Sequence, residues 1–295
     1  MLSSQEQIEI DHRKRILEPI VFFDLFDYPL TAYEVWKYLN REIELLETIS
    51  LLKKLVSKEV INEKNGFYFL FGREEIVEIR QKRYNYSCAK IKIAKRFGRL
   101  FALLPYVKVV AIANFLGDHN LREDGDIDFF IITSAHRIWL SRFFCTGLTK
   151  LLNKRPTAKR KKDRICLSFY ISEEHLNISD LASASQAPYW YYYLRGFMPI
   201  YDKDDNYSKF LIANGISQGE FKGNILVDNI SRWLLVDWLE MGAKKLQLKI
   251  MPTALKLAIN NSDGVYVSDD VLKLHLNDKR RYFSEKFNSK INEIF

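Results

Sequence analysis

The hydrophobic positions of this chain switch between helical and strand periods, and the switches divide it into three stretches. In the first, Ile8, Ile16, Ile20 and Phe23 lie at helical spacing until Asp27-Tyr28-Pro29 stops the pattern. Thr31, with Glu34 three residues on, forms a capping box ahead of "YEVWKYLN" and predicts a second helix. Ile49, Leu52, Leu55 and Val56 predict a third within "ETISLLKKLVSKEV". Asn65-Gly66 between two apolar runs is the signal of a tight hairpin. Three helices and a hairpin is the order of a winged helix-turn-helix. The run from "REEIV" to "FALLP" then predicts one or two long helices.

The second stretch changes period. "VKVVAIAN" and "DIDFFIIT" read as two strands, paired like a hairpin across the polar connection "FLGDHNLREDG". An amphipathic helix is expected in "SAHRIWLSRFFCTGLTKLLN", with Ser134 near its N-cap, and a further strand in "RICLSFYIS", Arg164 to Ser172. The third stretch reads as helical, with Ser268 capping a last helix from Val271 onward. The fold class is therefore α+β: a winged-helix-like module over 1–85, a small mixed-sheet domain over 86–178, and a helical C-terminal domain over 179–295.

Composition adds limits. The chain has 295 residues, 47% of them hydrophobic and 28% charged, enough apolar material for several packed units. It contains no apolar run of membrane-spanning length, and its first residues, "MLSSQEQIEIDHRKR", are polar, so no membrane is expected. Its three cysteines, Cys88, Cys145 and Cys166, are far apart and form no CxxC pair, which suits a reducing, cytoplasmic setting. A net charge of +8 leans toward anionic partners. On the third predicted helix Lys53, Lys54 and Lys58, and at the hairpin tip Lys64, are placed to touch phosphate if the module binds DNA. That helix lacks an Arg, Asn or Gln at its start to read a base edge.

Candidate chemistry centres on "GDIDFFII". Asp126 and Asp128 alternate with apolar residues, so on a strand they project from one face. Two such carboxylates repel unless a cation lies between them, and an oxygen-lined site suits Mg²⁺ (or Mn²⁺) shared with substrate phosphates. Apolar strand, connection, Asp-apolar-Asp and apolar strand together make the frame "VVAIANFLGDHNLREDGDIDFFII". This frame resembles the nucleotidyltransferase superfamily of the DNA polymerase β type. The wider chain is similar to uncharacterised bacterial nucleotidyltransferase-domain proteins, through "FFDLFDYPLTAYEVWKYL", "FMPIYDKDDNYSKFLIAN" and "SDDVLKLHLNDKRRYFSEKF".

The resemblance implies Mg²⁺-dependent transfer of a nucleoside monophosphate from a nucleoside triphosphate to an acceptor hydroxyl, on a nucleic acid or a protein. Asp126 and Asp128 would be the catalytic metal ligands. The chain departs from the pattern twice. Where the family has Gly-Ser to grip phosphate, Asn114 and Phe115 stand, with Gly117 able to supply close backbone approach. The strand expected to carry a third carboxylate carries Ser168 and no acid. A basic loop follows the predicted helix, and its Lys159, Arg160, Lys161 and Lys162 are candidates to clamp phosphate in place of Gly-Ser. Of the histidines, His119 is the one near the acid pair in sequence, and the aromatic run "APYWYYYLRGF" reads as core or interface. Two alternatives stand beside the enzyme: a nucleotide-binding or regulatory protein with little turnover, and a DNA-binding regulator acting through the winged helix. No GxSxG, P-loop or GxGxxG motif offers a different chemistry.

Overall fold

Thr31 does cap the second helix. Its hydroxyl accepts from the Glu34 amide at 3.2 Å while the Glu34 carboxylate accepts from the Thr31 amide at 2.8 Å. The computed structural model describes residues 4–39, 43–113, 117, 119–157, 159–181, 186–216, 234–260 and 264–294. In the N-terminal part, helix α1 (Ser4–Asp24) leads through strand β1 (Leu30–Thr31) into α2 (Ala32–Tyr38), α3 (Leu45–Ser57) and the hairpin β2 (Ile61–Lys64) and β3 (Phe67–Leu70). These strands form an antiparallel sheet in the order β1-β3-β2. Asn65 and Gly66 both have positive φ, 57° and 80°, which is why Asn-Gly is needed at this turn. Phe22, Phe23, Leu30, Val35, Leu52 and Ile61 build its core, which also takes in Tyr192 and Phe287 from far along the chain.

The long helical run is a single helix, α4 (Glu75–Ala102), and residue 85, the expected end of the first module, lies within it. Ile76 and Val77 at its start pack with Phe69 of β3, while Ile91, Ala94, Phe97 and Phe101 join the core under the second sheet. That sheet has the order β7-β4-β5-β6-β9-β8. Its members are β4 (Val107–Ile112), β5 (Ile127–Thr133), β6 (Ile165–Ser172), β7 (Met198–Asp202), β8 (Val265–Val267) and β9 (Val271–Leu274). Strands β5 and β6 run parallel, joined through α5 (Ile138–Leu151), and the other pairs are antiparallel. Central β5 is covered on both faces, which explains its unbroken apolar run. Phe129 and Ile131 pack toward α4 and α5, and Phe130 and Ile132 toward α6 (Ala187–Arg195) and α7 (Asn206–Ala213).

The C-terminal third is not wholly helical. It holds α6, α7, α8 (Leu234–Ile250), α9 (Thr253–Ala258) and α10 (Arg280–Ile294), and it also supplies β7, β8 and β9 to the central sheet. The last helix starts at Arg280 rather than at Val271. Ser268 is the reason. Its hydroxyl accepts from the amides of Asp270 and Val271, at 3.1 and 2.8 Å, closing a turn between two strands instead of opening a helix. Ser-Asp-Asp serves both purposes equally well in sequence. The following Val271 and Leu272 are buried against β6.

Asp202, at the end of β7, accepts from the Tyr207 amide at 3.1 Å and so closes the start of α7. Burial pushes its carboxyl from 3.8 up to about 6, with Asp205 and Asp204 adding repulsion against the backbone amides that bind it. The folded state therefore holds this proton more tightly than the unfolded state, and stability is lost as pH rises from 3.8 to about 6. Asp202→Asn keeps an acceptor and removes the charge. It is expected to raise stability at pH 7 by about 1–2 kcal/mol, with the gain vanishing in acid. Denaturant melts across that pH range check the sign.

Candidate functional site

The β4–β5 pair presents the acids. The Ala113 amide donates to Asp128 O and the Ile127 amide to Arg164 O, each at 2.8 Å, which fixes the start of β5 between its neighbours. Asp126 and Asp128 then project on the face that Phe130 and Ile132 continue. On parallel β6, Cys166 stands in register with Asp128, and the register shifts before Phe130↔Phe169. That bulge puts one extra β6 residue beside the site, so Cys166 shares the acids' face before it while Phe169 and Ile171 share the apolar face after it. Asp126, Asp128 and Cys166 each place one ligand atom within 4.8 Å of the others.

Behind the cysteine lies a polar relay. Cys166 Sγ is 3.4 Å from Ser168 Oγ, which is 2.8 Å from His275 Nε2. His275 follows β9, where its amide donates to Gly264 O at 2.8 Å. A side chain at Gly264 would collide with the His275 backbone, so glycine is what lets the two segments close here.

Charge is frustrated at this point. Burial raises the Asp126 pKa, and Asp128 raises it further, against the opposing pull of the backbone amide, His275 and Lys161. Burial likewise pushes the Cys166 thiol well above its usual range, and both carboxylates add to that. A divalent cation would relieve all three groups at once, and the residues present fit one.

A cavity of about 250 Å³ adjoins Asp128. Tyr189, Trp190 and Tyr193 of α6 form one side, and Lys273, His275 and the 277–280 segment form the other. Lys273 Nζ and Arg280 Nε both meet Asp278 Oδ2, at 2.6 and 2.8 Å, and all three side chains are largely buried. The Arg280 guanidinium sits 4.9 Å from the Trp190 ring centre. The indole N–H of Trp190 is buried without a hydrogen-bond partner among the described residues.

Of the residues expected from sequence, Asp126 and Asp128 meet at the site. Asn114 and Phe115 lie outside the described residues. Gly117 has φ 82° and packs so closely on the Tyr28 ring that a Cβ would approach it to 2.7 Å, so its glycine is explained by packing. In the basic loop, Lys161 acts on Asp126 through its charge, Lys162 pairs with Glu123 at 2.6 Å, and the Arg160 backbone pairs with Thr157. None of the residues 159–162 lines the cavity. The His119 ring lies tilted against that of Tyr84, with centres 4.8 Å apart, and the histidine that reaches the site is His275. Cys166, Lys273, His275 and the α6 aromatics carry no local signal of a site, because long-range contacts bring them to the acids: β5–β6 pairing for Cys166, β6–β9 pairing for Lys273 and His275, and packing on the sheet for α6.

Lys53, Lys54, Lys58 and Lys64 are exposed. Among the described residues no helix is long and apolar enough to cross a membrane. No family model, curated protein or solved structure matches this chain.

Proposed function

We propose that this protein binds a nucleoside triphosphate with a divalent cation, Mg²⁺ or Mn²⁺ by the resemblance of its acid-pair frame, and transfers the nucleoside monophosphate to an acceptor hydroxyl. The observation that carries the reading is the close pair Asp126 and Asp128, of which Asp128 lines a cavity that also offers cationic and aromatic side chains. Cations suit phosphates and aromatic faces suit a base. A cation held by the two carboxylates would neutralise charge building on the phosphates. The protein's own share is orientation: the start of β5 brings the two carboxylates together, Lys273 and Arg280 are fixed by Asp278, and Tyr189 and Tyr193 line the cavity. In this reading the first helices and β1–β3 are a winged-helix-like module serving as a platform, since Tyr192 and Phe287 complete their core.

A second reading, nucleotide binding with little turnover, is favoured by one observation: β6 brings Cys166 and Ser168 to the site and no carboxylate. Calorimetry with Mn²⁺ and a non-hydrolysable triphosphate tests what the two share. Wild type is expected to bind both, and the Asp126→Asn/Asp128→Asn variant to lose at least tenfold in cation affinity. Equal affinities would overturn both readings. Pyrophosphate release from a hydrolysable triphosphate then separates enzyme from binder.

A further inference from the structure

We propose that Cys166 is the third protein ligand of the Asp126–Asp128 site, and that the site takes a thiophilic divalent cation of the Zn²⁺, Co²⁺ or Cd²⁺ kind in preference to Mg²⁺. The inference rests on the acid pair being a cation site, as proposed above, and adds what that site selects.

Four observations carry it. The parallel register Asp128↔Cys166 sets the two residues side by side on neighbouring strands. One atom each of Asp126, Asp128 and Cys166 lies within 4.8 Å of the others, a span one ion can close. Ser168 stands behind the sulfur at 3.4 Å and is itself held by His275 at 2.8 Å, the kind of outer contact that orients a ligand. The adjoining cavity gives an ion a way in and leaves room for water or a phosphate oxygen.

The donor set decides the metal. Mg²⁺ prefers oxygen ligands and retains its waters, and gains little from sulfur. Zn²⁺ binds thiolate and carboxylate together, and three protein ligands with an open position is a pattern of reactive rather than structural zinc sites. On binding, the Cys166 thiol gives its proton to solvent, a sulfur lone pair forms the S–metal bond, and one metal-bound water leaves. Ser168 then turns its hydroxyl hydrogen toward the thiolate and accepts from His275 Nε2–H, so no member of the relay loses a partner.

The test uses the full chain, stripped with a chelator and titrated with Co²⁺. A sulfur-to-cobalt charge-transfer band in the near ultraviolet is expected. Cys166→Ser should abolish it and weaken Cd²⁺ binding at least tenfold, whereas Cys88→Ser should leave both unchanged. As a check on wild type alone, Cd²⁺ should slow alkylation of Cys166, read by peptide mass, and not of Cys88. A band that survives Cys166→Ser, or alkylation of Cys166 indifferent to Cd²⁺, overturns the inference. Mn²⁺ binding that depends on Asp126 and Asp128 without any thiolate band overturns it too, while leaving the proposed function standing. Absence of binding by any of these cations removes both.

Discussion

Arg80→Ala is expected to destabilise the protein by about 3–5 kcal/mol, the cost of leaving a buried charge without its partner. From α4, Arg80 spans Glu34 of α2 with two bonds, Nη1 to Oε2 at 2.7 Å and Nη2 to Oε1 at 2.9 Å. The same guanidinium lies 4.1 Å over the Tyr28 ring and 4.6 Å over that of Phe67. Tyr28 Oη adds a bond to Glu34 Oε1 at 2.9 Å. Glu34 keeps only 8% of its side chain exposed and Arg80 15%, so this is not a solvated surface pair. Burial by itself would raise the Glu34 pKa, and the bond and charge of Arg80 with the donors of Thr31 outweigh it, leaving the pKa below 4.5. A depressed carboxyl stabilises above its unfolded pKa and loses that contribution as pH falls below it. The loss in Arg80→Ala should therefore be largest near neutral pH and shrink in acid, where Glu34 can protonate. Denaturant melts at both ends of that range read it, with Glu34→Gln/Arg80→Met expected to recover most of the stability. A loss under about 1 kcal/mol at neutral pH would mean the pair behaves as an exposed one.

That pair also shows where sequence reasoning stops. The capping box, the Asn65-Gly66 turn, the β4–β5 pairing and the same-face placement of Asp126 and Asp128 were legible because each depends on residues close in sequence. Glu34 was legible as a capping residue, yet its bond to Arg80 joins positions 46 apart. The site follows the same rule. Its acids could be read from "GDIDFF", whereas Cys166 arrives through parallel pairing and His275 through β9, a strand hidden behind the helix-like signal of Ser268. The α6 aromatics mostly serve as core: Tyr192 stacks on Phe22 with ring centres 4.3 Å apart. Their neighbours Tyr189 and Tyr193 turn to the cavity because successive helical positions face different ways. At Gly117, a glycine needed for packing on Tyr28 looks in sequence like one needed for phosphate.

The source of the phosphate grip follows from how the cations are held. Lys273 and Arg280 are both largely buried, and Asp278 pairs with each of them at the cavity wall. Burial would raise the Asp278 pKa, but the two cations outweigh it and keep it below 3.8, so Asp278 stays ionised and the trio stays rigid at neutral pH. Lys279, between them in sequence, is exposed and lines the same cavity, where it can swing to a phosphate. In the basic loop, Lys162 is committed to Glu123, Arg160 lies in the Thr157 turn, and all four side chains are exposed, where salt screens them. Lys161 acts through its charge on Asp126. We therefore expect Lys279→Ala to weaken triphosphate binding by about tenfold or more, the value of a bond to a charged group. Changing Lys159, Arg160 and Lys162 together to alanine should cost less than that at moderate salt, and adding Lys161→Ala should account for most of any further loss. Lys279→Ala should also lower the salt dependence of binding by about one phosphate contact. Calorimetry with the non-hydrolysable triphosphate at two salt concentrations measures both. If the four-residue loop variant loses more affinity than Lys279→Ala, the clamp lies on the loop between α5 and β6, and the segment after β9 is only the cavity's wall.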